Sequence, residues 1–293
     1  MSEQQARSKK ETPMAGQDEL PRRTVLAAAA LATLPFASDA DAQTTGRAST
    51  SNGKVALVTG SSRGIGAATA KRLARDGYAV TVNCVVNRDL AAGVVGEIEA
   101  AGGRAIWVQA DVSDPAAVRR LFDENDRAFG GVDVVVSNAG VMRLAPFRDM
   151  TDADFMRMID VNQKGSFFVL REAARRVRDG GRIIALSSSI TQLRTPTYGP
   201  YAVTKAAQEL YANILAKELE GRGISVNAVA PGVVNTTLFT DGKTREQIAG
   251  FAARTPHKRL GEPSDIANTI AALCGSDGAW INGQTVFANG GIV

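Results

Sequence analysis

The chain has 293 residues, 44% of them hydrophobic and 22% charged, which is the profile of an ordinary soluble globular protein able to bury a substantial core. Its net charge of +4, from 34 basic and 30 acidic residues, is scattered rather than gathered into a face or tail, so the sequence carries no nucleic-acid footprint. One histidine, His257, and two cysteines, Cys84 and Cys274, far apart and in no metal-ligand spacing, exclude a histidine-based triad and argue against a zinc or haem site.

Residues 1–42 differ from the rest. They are polar up to Pro21, then read Arg22-Arg23, an apolar run ending at Phe36, and Ala40-Asp41-Ala42, which is the order of an export signal. The apolar run is too short to cross a hydrocarbon core of about 30 Å as a helix, so no membrane span is expected. Paired arginines before a short Ala-rich segment resemble a twin-arginine signal cleaved after Ala42, which implies a periplasmic protein. A disordered, unprocessed extension on a cytoplasmic protein is the alternative. Residues 43–52, rich in Thr, Ser and Gly, read as linker, and 53–293 as one folded domain.

From Lys54 onward short apolar runs alternate with helical patterns, which predicts a doubly wound α/β domain with a parallel seven-stranded sheet and helices on both faces. The strands are expected at 55–59, 79–83, 105–109, 132–137, 183–187, 225–230 and 285–288. After the first strand, Gly60, Ser62, Arg63, Gly64, Ile65 and Gly66 form a glycine-rich turn into an Ala-rich helix, suited to bringing backbone N–H groups up to a pyrophosphate. A second strand preparing for NAD would commonly end in a carboxylate, but here it ends Asn83-Cys84-Val85-Val86-Asn87-Arg88. With Arg63 and Arg88 on either side, a 2′-phosphate is favoured, hence NADP(H) over NAD(H), unless both arginines are merely solvated. Asp111-Val112 after the third strand and Asn138-Ala139-Gly140 after the fourth fall where strand ends should meet the cofactor.

Asn162 sits in a helical pattern where its propensity is mediocre, and an inward amide bonding a water or a backbone carbonyl would explain it. The fifth strand stops in Ser187 to Ser189. Beyond a turn-rich connection, Tyr201 and Lys205 stand at i and i+4 on one face of a long helix. A nearby ammonium lowers the pKa of a phenol, so Tyr201 could protonate a carbonyl oxygen held by Ser188 while hydride reaches the carbon. Tyr198 is less suited, because Ala202 stands where its lysine should be. Pro231-Gly232 and Thr236 follow the sixth strand and lead into a polar stretch reaching His257, a candidate mobile lid.

In order, these signals resemble the short-chain dehydrogenase/reductase family over residues 53–293. Gly60, Gly64 and Gly66 match its T-G-x3-G-x-G turn, Asp111 its adenine-contacting aspartate, Asn138 to Gly140 its N-A-G motif, and Pro231-Gly232 with Thr236 its nicotinamide-side loop. Asn162, Ser188, Tyr201 and Lys205 match its catalytic tetrad. The resemblance implies that Tyr201 is the acid/base, that Lys205 lowers its pKa and holds the nicotinamide ribose, that Ser188 positions the carbonyl, and that Asn162 holds a relay water. It is nearest in flavour to 3-oxoacyl-acyl-carrier-protein reductases and related carbonyl reductases. The expected activity is interconversion of a small-molecule carbonyl and a secondary alcohol, against the alternative of a cofactor-binding redox sensor or scaffold without turnover. Leu210, Ile214 and Leu215 on the Tyr201 helix exceed what covers the sheet, and in the resembled family that helix pairs with its symmetry mate, so a homotetramer is implied.

Overall fold

The computed structural model describes residues 52–293. The expected export segment and the linker up to residue 51 lie outside the described residues. Seven strands, β1 (Val55–Val58), β2 (Ala79–Cys84), β3 (Arg104–Gln109), β4 (Val132–Ser137), β5 (Val177–Leu186), β6 (Ser225–Pro231) and β7 (Thr285–Ala288), form one sheet in the order β3-β2-β1-β4-β5-β6-β7. Every pairing is parallel. The order reverses at β1, which lies between β2 and β4, and the carboxyl ends of β1 and β4 therefore border the crevice where open α/β sheets bind ligands.

Period-two alternation divides the strands between two cores. Ala56 and Val58 of β1, with Ile184 and Leu186 of β5, face α1 (Gly64–Arg75), α2 (Arg88–Ala100) and, at the far end of the chain, α10 (Pro263–Cys274). Leu57, Ile183 and Ala185 face the other side, against α3 (Pro115–Phe129), α5 (Ser166–Arg176) and α7 (Gly199–Glu218). Leu121 and Phe122 of α3 are fully enclosed there, and truncating a side chain so placed costs about 2–5 kcal/mol. Cys84 and Cys274 are free thiols in the first core, and no group able to hold a metal occurs among the described residues.

Three elements differ from expectation. β5 begins at Val177, six residues before Ile183, because Val177 pairs with Val132 ahead of a register shift at Val132/Val134. Its polar text Arg178-Asp179-Gly180-Gly181 hides this, and a side chain on Gly181 would stand 2.4 Å from Val177 and 2.5 Å from the Asp133 carbonyl. The helix around Asn162 is not continuous: α4 (Asp152–Met158) passes through a π-helical turn, Ile159–Gly165, before α5. The candidate lid contains two helices, α8 (Thr237–Thr240) and α9 (Arg245–Arg254), rather than loop alone. Here α9 is started by a reciprocal Thr244/Gln247 capping box. A short helix, α6 (Ile190–Leu193), connects the serine run to the turn before α7.

Candidate active site

The glycine turn is held in shape by the ends of its two neighbouring strands. Asn83, buried at the end of β2, accepts from the Gly60 N–H at 3.0 Å and donates to the Ala110 carbonyl at 3.0 Å, tying the turn to the chain after β3. From β4, Asn138 Nδ2 donates to the carbonyls of Thr59 (2.8 Å) and Gly60 (3.1 Å), and the Asn138 and Ala139 N–H groups donate to Thr59 Oγ1 at 3.0 and 3.1 Å. The Thr59-Gly60 and Asn138-Ala139-Gly140 motifs are thus one hydrogen-bonded unit. Two positions leave no room for a side chain: a methyl on Gly66 would lie 2.5 Å from Asn138 Nδ2, and one on Gly60 2.8 Å from Ala139 Cα. Gly60 and Gly64 also take φ of +61° and +58°, a region that L side chains avoid.

This turn fits an anionic dinucleotide. The N-terminus of α1 has no side-chain cap and no acid in its first turn, leaving backbone donors and a positive dipole end for a phosphate. Ser61 N–H donates to the Asn83 carbonyl at 2.9 Å, which sets the turn beside the end of β2. There Cys84 is buried while Arg88 and Arg63 are exposed, and neither arginine is in an ion pair among the described residues. Burial raises the Cys84 thiol pKa, and the Arg88 charge acts against that rise. Asp111 is engaged locally, accepting from the N–H and hydroxyl of Ser113 at 2.9 and 2.7 Å, and Val112 is a core residue. Thr236 reaches over the turn, its methyl 3.4 Å from where a side chain on Gly64 would begin. Gly232 packs against Asn289, whose Cα a methyl there would meet at 2.9 Å.

Ser188, Tyr201 and Lys205 line one cavity of about 140 Å³, together with Asn138, Gly140, Pro231, Gly232 and Thr236. Of the three serines, Ser187 is buried and donates to the Lys205 carbonyl (3.0 Å) and Glu209 (2.7 Å), and Ser189 is buried and donates to the Ala230 carbonyl (3.1 Å). Ser188 alone is half-exposed, and it is a hydrogen-bond partner of Tyr201. Lys205 Nζ stands 5.8 Å from the centroid of the Tyr201 ring and donates to the Leu186 carbonyl at 2.8 Å. Burial pushes the Tyr201 phenol up, with the Ser188 bond opposing it, and holds Lys205 down to about 8. Desolvation therefore outweighs the phenol-lowering effect expected of the ammonium.

Asn162 is turned inward as expected. Its amide pairs with both the N–H and the carbonyl of Val141 at 2.8 Å, and its second donor reaches Thr204 Oγ1 at 3.1 Å. These protein partners use both N–H donors, so one Oδ1 lone pair remains for a water. The π turn frees the Asn162 carbonyl, which accepts from Gln208 Nε2 at 2.7 Å. Asn162 Oδ1 and Lys205 Nζ both lie over Gly140, within 3.4 and 3.5 Å of where a side chain would begin.

Sequence reasoning missed three residues that build this arrangement. Asn83 was visible only as the absence of a carboxylate, and Thr59 only as a strand end and the first letter of the T-G-x3-G-x-G motif, with no role attached. Glu209 lies two turns after Tyr201 on α7 and also accepts from Thr191 Oγ1 at 2.9 Å, so it clamps both flanks of Ser188 onto the helix that carries Tyr201 and Lys205. A carboxylate at i+8 from the tyrosine was the available signal.

A doubly wound sheet with a phosphate-ready glycine turn at its switch point, and a hydroxyl, a phenol and an amine converging beside it, defines a dinucleotide-dependent oxidoreductase. Residues 60–293 match the family profile described as enoyl-(acyl carrier protein) reductase. The chain belongs to the short-chain dehydrogenase/reductase family. It is 43% identical over 255 residues to an NADPH-dependent aldehyde reductase-like chloroplast protein of Arabidopsis thaliana, covering 82% of this chain and 94% of that one. A crystal structure of a short chain dehydrogenase from Burkholderia cenocepacia in complex with NADP is similar at a TM-score of 0.77 and 40% identity, covering 82% of this chain and 98% of that one. That of the angucycline C-6 ketoreductase LanV with bound NADP is similar at a TM-score of 0.78 and 37% identity, covering 84% and 96%.

Proposed function

We propose that this protein is an NADP(H)-dependent reductase that interconverts a small-molecule carbonyl and a secondary alcohol. The observation that carries this reading is the convergence of Ser188, Tyr201 and Lys205 in one cavity beside the glycine turn. The cofactor would be held by the turn from Gly60 to Gly66, by Asn138 to Gly140, and by Pro231, Gly232 and Thr236, with Asp111 and Val112 toward its adenine end. Arg63 and Arg88 would meet its 2′-phosphate. When bound, it supplies the hydride. Ser188 and Tyr201 then hold the carbonyl oxygen from two sides, and Tyr201 gives that oxygen its proton. Lys205 stabilises the resulting phenolate, since an ammonium close to a phenolate favours the charged form. Asn162 fixes the strand-end backbone at Val141 against α7, and its remaining lone pair suits a relay water.

NADPH absorbance followed with a panel of ketones, aldehydes, quinones and one enoyl thioester, beside cofactor binding by fluorescence, tests this. Decay with a ketone or aldehyde is expected. Binding with no decay on any of them would favour a sensor or scaffold, and decay on the enoyl thioester alone would favour carbon–carbon double-bond reduction.

We also propose a homotetramer, supported by exposed Phe167 on α5, exposed Leu210 and Ile214 on α7, exposed Trp280 in the connection before β7 and exposed Phe287 on β7. Leu215, by contrast, packs on the core. Light scattering that returned one chain mass would reject the oligomer. Export through residues 1–42 remains a separate proposal. In the native host the mature chain should begin at Gln43, and Arg22→Lys with Arg23→Lys should abolish cleavage. Full-length wild-type protein confined to the cytoplasm would reject it.

A further inference from the structure

The inner cavity is small. At about 140 Å³ it falls short of the roughly 300–1,000 Å³ usual for ligand pockets, so a substrate whose carbonyl reaches Tyr201 must extend outward. The outward path is a second hollow of about 590 Å³ between the turn at residues 195–198 and α9. Arg254 lines both spaces, and Lys243 lines the outer one. Among the described residues, no Asp or Glu lines either.

Among the described residues, neither cation is in an ion pair, whereas Arg259, five residues beyond Arg254, is bonded to Asp265. Asp241 influences Lys243 but stands outside both hollows. An aromatic pair sets the two cations at the rim. The Phe239 and Phe251 rings meet edge to face at 5.1 Å, Lys243 Nζ lies 4.6 Å over Phe239 and donates to its carbonyl, and the Arg254 guanidinium lies 5.9 Å from the Phe251 centroid. A cation in the last turn of α9 also complements the helix dipole. That role needs no particular direction of the side chain, yet this one reaches the cavity wall. Burial raises the pKa of the Tyr198 phenol and the Arg254 charge acts against that rise, and the Tyr198 ring stands 6.4 Å edge-on to Tyr201.

We infer that Arg254, with Lys243 behind it, is a carboxylate-binding subsite, and that the substrate is a carbonyl compound bearing a carboxylate at the far end of an apolar body. This rests on the reading of the cleft as a carbonyl reductase. A guanidinium offers a planar fork that matches a carboxylate in two parallel bonds. Met142, Leu193 and Leu238 line the inner cavity together with Arg254 and Tyr201 and give it apolar walls. Such a wall would accept an aromatic or aliphatic body and set its carbonyl against Ser188 by anchoring the opposite end.

The test uses 4-formylbenzoate and its methyl ester as matched aldehydes, with NADPH consumption by the wild-type chain and by Arg254→Gln, Arg254→Lys and Lys243→Gln. The wild-type ratio of kcat/KM, acid over ester, should exceed one. Arg254→Gln should lower that ratio by roughly tenfold to a hundredfold, the range for losing a charge-assisted pair. Arg254→Lys should lower it less, keeping the charge without the fork, and Lys243→Gln should have the smallest effect. A ratio unmoved by Arg254→Gln, or an equal fall for both aldehydes, overturns the inference. If neither aldehyde is reduced, the reductase reading is decided by the ketone and aldehyde panel, and calorimetric titration of benzoate against benzamide into NADPH-saturated protein decides the subsite. A benzoate preference lost in Arg254→Gln supports it, and equal binding of the two overturns it.

Discussion

Lys205 gives the folded protein a pH dependence whose sign and size follow from its burial. Its side chain is enclosed between α7 and β5, and its pKa is held at about 8 against an ordinary 10.5. Between those values the unfolded chain still carries the proton while the folded chain has released it, so the stability of the native state rises with pH through that window. At about 1.4 kcal/mol per pH unit, the full cost of burying the ammonium is about 3 kcal/mol, and most of it is relieved between pH 7 and 10. Tyr201 acts in the opposite direction, since burial raises its phenol pKa, but it removes stability only once unfolded phenols ionise above about pH 10. The perturbation is Lys205→Met, and the assay is urea unfolding of cofactor-free wild type and variant at pH 7, 8, 9 and 10. The Leu186 carbonyl loses its donor in the variant, which costs about 1–3 kcal/mol at every pH and moves the offset but not the slope. The stability of wild type relative to the variant should climb by about 2–3 kcal/mol across the range. Parallel curves would mean that Lys205 titrates as a solvated amine, and the reasoning from burial would be wrong.

Arg63→Ala should weaken NADPH more than NADH, reducing the preference by roughly tenfold to a hundredfold, and Cys84→Asp should move it further toward NADH by repelling a 2′-phosphate; dissociation constants for both cofactors check this, and equal losses would remove Arg63 from the phosphate site. Glu209→Ala removes the acceptor that Ser187 and Thr191 share and leaves them only the Lys205 and Ser188 carbonyls, so turnover should fall by about tenfold or more with NADPH affinity nearly intact, as steady-state kinetics beside fluorescence titration would show. Unchanged turnover would reduce Glu209 to a packing residue.

The strands were legible because each is a short apolar run bounded by polar or glycine-rich text, and six of the seven begin within a residue of where periodicity puts them. β5 is the exception, since the residues that start it pair through Val177 alone before a polar bulge, and no alternation marks such a segment. Tyr201 and Lys205 were readable from i, i+4 spacing. Choosing Ser188 among three consecutive serines depends on what Ser187 and Ser189 spend their hydroxyls on, which is long-range information. The π turn at Asn162 leaves no periodic trace. Asn83 and Thr59 look like ordinary strand-end polar residues until strands distant in sequence are set side by side. The stretch beyond Thr236 reads as a polar, mobile lid with no helix marked in it, although Thr244 and Gln247 spell a capping box that marks the start of α9.

The most direct measurement is turnover of Tyr201→Phe on whichever carbonyl the wild-type chain reduces fastest, with NADPH binding followed on the same sample. The phenylalanine ring keeps the packing against Met158 and Ile190 and removes only the hydroxyl. Binding should therefore persist while kcat falls by roughly 10²-fold or more, the range for losing a general acid. Near-normal turnover with normal binding would contradict the assignment of the proton to Tyr201, and with it the mechanism drawn from the convergence of Ser188, Tyr201 and Lys205.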